Sequence, residues 1–336
     1  MSEPLRVGIV GAGAVVQVAH LPVLKKMKGI EVRALCDNDL PKARALADRF
    51  GIKDAFDDIE ELLRYEALDA VIVSSPTHLH EAHLAAALSA NLHVLVEKPL
   101  TISAASAQRM VRAVEKRDRT VMVGMNHRYR PDVQIVRGFV QSGELGTVES
   151  VRGSWHVHRP ARAQLGWRQR RDQAGGGAMT DLGLTILDLG LWLSGWPKPE
   201  RVSATLDRPG KERGVEQSGS AFVVCEEGIS VFLDVTWRHI GEGERFGLGL
   251  RCSRGMAAVN PLKVWKEFHG VPTDVSPTGS VSRETPFNAS FRAQWAHFQA
   301  AVNGDAKVAS LDEQVTLHKV LDAVYRSAQD GRDVAL

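Results

Sequence analysis

Val7-Gly8-Ile9-Val10-Gly11-Ala12-Gly13-Ala14-Val15-Val16 decides how the first third of the chain folds. A short apolar strand runs into two closely spaced glycines, and a helix follows that carries Val15, Val18, Ala19, Leu21 and Leu24. Gly11 permits the tight turn, and Gly13 lets backbone approach a pyrophosphate, which then sits on helix N–H groups. Val16 stands where Gly or Ala is usual, so helix and strand cannot pack quite so closely there. The next strand ends in Cys36-Asp37-Asn38. A carboxylate at that point accepts a ribose 2′-hydroxyl and repels a 2′-phosphate, and Asn38 adds no positive charge. NAD is therefore expected over NADP. The cofactor set begins with Gly11, Ala12, Gly13, Ala14, Val15, Val16, Asp37 and Asn38.

A second stretch, Val94-Leu95-Val96-Glu97-Lys98-Pro99, is an apolar strand that ends in a carboxylate, a lysine and a proline. In an open parallel sheet, ligands bind beyond the carboxyl ends of the strands, so Lys98 is delivered to where a cofactor would lie. Ser74-Ser75-Pro76-Thr77-His78-Leu79-His80 ends another strand. Small hydroxyl residues and a proline there suit close passage of a ribose or pyrophosphate. Ser74, Ser75, Pro76, Thr77, His80, Glu97, Lys98 and Pro99 extend the cofactor set. His78, His80 and His83 invite a metal reading, but they have no acidic or cysteine partner in sequence, and no metal is expected.

Strands at 6–10, 32–36, 70–74, 93–97 and 120–124 alternate with helices, the pattern of right-handed crossovers and a doubly wound parallel sheet. Asp39 caps one helix, with Pro41 near its first turn and Gly51 at its end; Asp57 opens another, and Asn91 closes a third. Beyond 124 the rhythm changes. A helix at 131–143 and a strand at 148–157 precede strand-like segments at 202–206, 220–225, 230–237, 246–252 and 256–260. One buried helix, 185–193, interrupts them. Strands in succession without crossover helices favour an antiparallel sheet. Helices at 291–302 and 311–329 close the chain, and 270–288 reads as a mobile loop. The expectation is an α/β protein with a Rossmann domain over 1–123 and a mostly antiparallel α/β domain over 124–336. The terminal helices can pack back on the first domain.

The 336 residues carry a net charge of +2, with 42 basic and 40 acidic residues. That balance argues against nucleic acid or an anionic membrane as partner, since both select a concentrated basic surface. Cys36, Cys225 and Cys252 are scattered and odd in number, and read as buried thiols in a reducing compartment. No h-region follows Met1 and no apolar run reaches membrane-spanning length, so a cytoplasmic location is expected.

The glycine loop, Ser75-Pro76-Thr77-His78-Leu79-His80, Glu97-Lys98-Pro99, Val123-Gly124-Met125-Asn126-His127-Arg128, Gly143-Glu144-Leu145-Gly146 and Gly175-Gly176-Gly177-Ala178-Met179-Thr180-Asp181-Leu182-Gly183 together resemble the Gfo/Idh/MocA oxidoreductases. This is the family of glucose–fructose oxidoreductase and inositol dehydrogenase, and the resemblance covers nearly the whole chain. It implies an NAD-dependent oxidoreductase that transfers a hydride between nicotinamide and a secondary alcohol of a polyol, a pyranose sugar or a related cyclic alcohol. It implies that Lys98 lies beside the nicotinamide and the substrate hydroxyl, and that Asp181 is the acid of the glycine-rich turn, with Asp188 a second acid further on. Asn126, Trp167 and Arg168 match positions near the cofactor. The resemblance implies Lys98 and Asp181 as the catalytic residues and Lys98, Asp181 and Thr185 as the substrate set. Family members commonly pair through the second domain's sheet, which implies a homo-oligomer, dimer or tetramer.

One departure matters. Four residues after Asp181, where most catalytic members carry a histidine, this chain has Thr185. A threonine hydroxyl donates and accepts hydrogen bonds but does not hold a proton at neutral pH as imidazole does. A non-catalytic sensor that binds NAD and a sugar is the alternative this substitution favours. His156 and His158 read either as a polar or interface face or as a replacement for the missing imidazole. Arg159, Arg162, Arg170 and Arg171 read as a solvated loop or as an anion-binding edge for an acidic sugar or sugar phosphate.

Overall fold

The computed structural model describes residues 3–65, 68–159, 166–207, 214–277 and 284–336. The chain divides into two compact units. One is Met1–Tyr129 with Phe287–Gln314, and the other is Arg130–Pro286 with Val315–Leu336.

The first unit is built on six parallel strands: β1 (Leu5–Val10), β2 (Ile30–Cys36), β3 (Asp54–Phe56), β4 (Ala70–Val73), β5 (His93–Glu97) and β6 (Val121–Gly124). Their spatial order is β3-β2-β1-β4-β5-β6. β1 lies between β2 and β4, and the direction of winding reverses there, which opens a crevice at its carboxyl end. β4 and β5 are buried almost throughout and read as unbroken apolar runs because helices cover both faces. The helix Leu40–Phe50 starts on Asp39, whose carboxylate accepts from Lys42 N at 3.0 Å, and ends at Gly51 in the left-handed region. The helix Ile59–Leu63 is capped by Asp58, not Asp57, through Glu60 N. Trp295 and Phe298, from the helix Pro286–Val302, are fully buried in the core of this unit with Ile9, Leu35, Ile72 and Leu95.

The second unit carries nine strands: β7 (Val148–His156), β8 (Pro199–Leu206), β9 (Ser218–Cys225), β10 (Ser230–Thr236), β11 (Arg245–Cys252), β12 (Gly255–Val259), β13 (Lys263–Phe268), β14 (Val271–Asp274) and β15 (Val334–Ala335). The order is β14-β13-β12-β11-β7-β10-β9-β8-β15, antiparallel except for the central pair β7 and β10. Alternate residues face opposite sides. Val231, Leu233 and Val235 are buried beneath the helix Leu184–Leu193, where an added Cβ at Gly190 would meet Val231 and one at Gly153 would meet Ile186. Those apolar residues are therefore covered. The other face of the sheet carries Phe222, Phe232, Met256 and Trp265, each more than a third exposed.

β14 falls inside the segment that composition suggested was a mobile loop. Pro272 misled that reading: it lacks a ladder donor, and a sheet tolerates it only at an edge, which is where β14 lies. Among the described residues no helix is long and apolar enough to cross a membrane.

Candidate active site

In the first unit the glycine turn is held from two sides. Gly11 has φ +101° and its N–H donates to Cys36 O at 2.7 Å. An added Cβ at Gly11 would lie 2.6 Å from Ser74 O, so only glycine lets β1 and β4 approach there. Ala12 N donates to Asp37 Oδ2 at 2.7 Å, and Lys42 Nζ lies 2.8 Å from Asp37 Oδ1. Asp37 is thus fixed at the end of β2 by the turn it was expected to serve. Beyond Gly13 the chain enters a wider π-type turn over Val16–His20, beginning at the bulky third position.

Two properties of this corner suit a dinucleotide. An added Cβ at Gly13 meets nothing within 4 Å, so the turn is open on that side. Ser74 Oγ and His78 Nδ1 are buried and have no hydrogen-bond partner among the described residues. Unspent buried polar atoms are costly unless a ligand takes them up.

His80 is fully buried, with Nδ1 2.9 Å from Pro99 O and Nε2 2.9 Å from Ser75 O. It ties the loop after β4 to the chain leaving β5. Desolvation lowers its pKa, opposed by those two carbonyls. Glu97 is held by a chain of donors that begins at Trp295. An indole N–H can only donate, so Trp295 Nε1, 2.9 Å from His20 Nδ1, makes that nitrogen the acceptor. The imidazole proton then sits on Nε2 and is donated to Glu97 Oε1 at 2.8 Å. Lys98 N donates to Glu97 Oε2 at 3.3 Å. Asn126, also buried, donates to Ser290 Oγ at 3.0 Å.

In the second unit Asp181 lies on the turn Met179–Gly183, which runs directly into the helix Leu184–Leu193. Its Oδ2 accepts from Arg159 Nη2 at 2.6 Å and from Trp237 Nε1 at 3.2 Å. The Arg159 guanidinium also lies over the Trp237 ring, 4.7 Å from its centre. Thr185 is buried, and its Oγ1 has no hydrogen-bond partner among the described residues. Asp188 is fully buried one turn on.

Both halves of the chain match known families. Residues 5–125 match the model described as oxidoreductase family, NAD-binding Rossmann fold, and residues 133–258 match the GFO/IDH/MocA C-terminal domain. The chain belongs to the Gfo/Idh/MocA oxidoreductase family. It is 26% identical to D-glucoside 3-dehydrogenase of Escherichia coli strain K12, over 100% of this chain and 98% of that protein. It is 28% identical to D-xylose 1-dehydrogenase (NADP(+)) 2 of Haloferax volcanii, over 98% of this chain and 99% of that one. The crystal structure of GenD2 from gentamicin A biosynthesis, in complex with NAD, superposes with a TM-score of 0.86 at 28% identity, covering 100% of this chain and 97% of that one.

Within this oxidoreductase the first unit brings Gly11–Gly13, Asp37, Ser74, Ser75, His80, Glu97 and Pro99 to one end of the parallel sheet. Trp167 and Arg168 lie on a short turn of the second unit, with the guanidinium 4.3 Å from the indole centre. The arginines read together from sequence separate. Arg159 serves Asp181, Arg170 pairs with Asp172, Arg171 lies over the Tyr325 ring, and Arg162 falls outside the described residues. His156 bonds Asp234 Oδ2 at 2.7 Å. Both stand on the face of the sheet away from the buried helix, whereas Arg159 and Trp237 have the opposite parity. His156 therefore does not replace the missing imidazole beside Asp181.

His20, Trp295, Lys42 and Trp237 were not singled out in the sequence. A histidine on an apolar helix face was the one available signal for His20. The others act through contacts between segments far apart in the chain.

Burial holds two histidines neutral. His83, bonded to Ser75 Oγ, is lowered to about 4 by desolvation, and His318 is likewise lowered to about 4, from an ordinary value of 6.5. Above 6.5 neither folded nor unfolded chain protonates them; between 6.5 and 4 the unfolded chain binds protons that the native state excludes. Stability should therefore fall as pH drops through that window. Urea midpoints between pH 7 and pH 4 test this. A shallower decline in His83→Gln than in wild type is expected, and identical slopes would contradict it.

Proposed function

We propose that this protein is an NAD-dependent dehydrogenase that oxidises a secondary hydroxyl of a sugar, polyol or related cyclic alcohol. The observation that carries the reading is Lys98 at the carboxyl end of β5, following a glutamate anchored by His20, in a unit whose glycine turn and Ser74 hydroxyl, unpartnered among the described residues, suit a dinucleotide. The names of relatives, glucoside and xylose dehydrogenases among them, support the substrate class.

When bound, NAD accepts the hydride, and the chain's own residues do the rest. Gly11–Gly13 and the helix N–H groups beyond them hold the pyrophosphate, and Asp37 takes the ribose hydroxyls. Lys98 binds and polarises the substrate oxygen and takes part in removing its proton. Asp181, oriented by Arg159 and Trp237, positions the substrate, and the buried Thr185 hydroxyl supplies a hydrogen bond to it. The balance is an alcohol and NAD giving a ketone or lactone, NADH and one proton, so raising the pH drives oxidation.

The exposed sheet face with Phe222, Phe232, Met256 and Trp265 supports a homo-oligomer assembled through that face. Light scattering at micromolar concentration should give a dimer or tetramer, and a monomer throughout would refute the assignment. The three cysteines are buried and free, with thiols pushed up to about 12, about 12 and about 11, which suits a reducing cytoplasm.

Asp37 sets cofactor choice in this reading. Lys42 offsets part of its charge, and a carboxylate at the end of β2 still disfavours a 2′-phosphate. Wild type should bind NAD at least about tenfold more tightly than NADP, because like charges brought together cost more than a kilocalorie. Asp37→Ser with Asn38→Arg should narrow the gap; tighter NADP binding by wild type would sink the reading.

Lys98→Met should abolish oxidation of glucosides, inositols and pentoses while NAD binding, read by fluorescence, stays within about twofold, since the dinucleotide contacts lie on the glycine turn. Thr185→Val should cost less. Near-native turnover by Lys98→Met would place the proton elsewhere.

A further inference from the structure

The turn bearing Asp181 has no cap of its own. Ala178, at the start of the helical run 179–193, makes no side-chain cap bond. The donors at this end go instead to Glu216, far along the chain. Gly177 N and Met179 N donate to Glu216 Oε1 at 2.8 and 2.9 Å, and Ala178 N donates to the backbone oxygen of the same residue at 2.9 Å. Three successive N–H groups thus close on one residue, and its side chain faces the positive end of the helix.

Glu216 is only 5% exposed. Burial raises its pKa, opposed by the Tyr325 hydroxyl and the backbone donors. The Tyr325 hydroxyl donates to Glu216 Oε1 at 2.8 Å and pairs with Thr180 Oγ1 at 2.8 Å. The glycine run is what allows this approach. A Cβ at Gly177 would overlap Glu216 O, and one at Gly176 would overlap the Tyr325 hydroxyl and Thr180 Oγ1. Gly176 and Gly177 are needed for contact with a remote carboxylate and phenol.

We infer that Glu216, braced by Tyr325, is the positioning residue for the substrate half of the site: it caps the helix from a distance and so fixes where Asp181 and Thr185 stand. The inference rests on the proposed role of Asp181 and names what holds that acid in place. Glu216 itself touches no substrate. Because one oxygen takes all three donors, a glutamine can keep them, whereas an alanine leaves the Gly177 and Met179 amides buried without acceptors.

The test compares Glu216→Gln, Glu216→Ala, Tyr325→Phe and Asp181→Asn in the full chain. Hydrogen exchange over residues 176–185 should speed up by about tenfold or more in Glu216→Ala, because the Gly177 and Met179 amides lose the carboxylate that accepts them. It should rise less in Tyr325→Phe and stay near wild type in Glu216→Gln. With whichever of D-glucosides, myo-inositol or D-xylose the wild type oxidises, Glu216→Ala should raise KM by about tenfold more than it lowers kcat, since it disperses an orienting group and leaves Lys98 intact. NAD affinity should not move, and Glu216→Gln should restore KM. Unchanged exchange in Glu216→Ala, or a KM no worse than in Glu216→Gln, would overturn the positioning role. Normal kinetics in Asp181→Asn, or no oxidation by wild type, would overturn the reading of Asp181 instead, and exchange alone would then decide whether Glu216 holds the turn.

Discussion

A carboxylate taken out of water must be met by donors, and in each unit of this protein a buried glutamate meets that requirement with groups from remote segments. Glu97 receives His20, itself oriented by the indole of Trp295, so the first strand's helix, the fifth strand and the late helix Pro286–Val302 converge on one acceptor. Glu216 receives two backbone amides and the Tyr325 hydroxyl. Removing the acceptor leaves its donors unpaired in a dry interior, a penalty of about 1–3 kcal/mol. The arrangement therefore resists drift.

The residues proposed to carry the chemistry stand beside these anchors. Lys98 follows Glu97 directly, and Asp181 and Thr185 lie in the first two turns of the helix that Glu216 caps. Long flexible side chains and surface carboxylates gain little definition from their own contacts. Definition comes from the backbone to which they are attached, which is why the buried donors matter to function. Asp37 follows the same logic at smaller scale, since Ala12 N holds one of its oxygens and Lys42 the other.

Much of this was legible in the sequence. The alternation of strands and helices reads as five of the six parallel strands, and the change of rhythm after 124 reads as the antiparallel sheet. Asp39 and Gly51 bound their helix as expected from capping chemistry alone. Four strands are not legible: β3 has three residues and β15 two, β14 carries a proline, and β13 has three charged residues in six, so none offers an apolar period. Asp57 and Asp58 are equally good caps by residue type, and only backbone geometry chooses Asp58. The partners of the candidate site residues are the least legible. Arg159 looked like one of a run of surface arginines, and its service to Asp181 depends on Trp237, 78 positions later. Glu216 sits in an ordinary polar stretch, and nothing local marks it as the acceptor for a glycine run nearly 40 residues earlier. Thr185 could be read as a departure from the family, but that its hydroxyl is buried with no partner among the described residues needed the fold.

The claim on which the account turns is that this chain moves a hydrogen from a secondary carbinol carbon to NAD. The direct measurement is label transfer: D-glucosides, inositols and pentoses deuterated at their secondary carbons, incubated with the protein and NAD, and the reduced nicotinamide examined by NMR. Deuterium at C4 of the nicotinamide from at least one of these alcohols is the result predicted. Bound NAD that stays oxidised with every one of them, across the pH range, would contradict it.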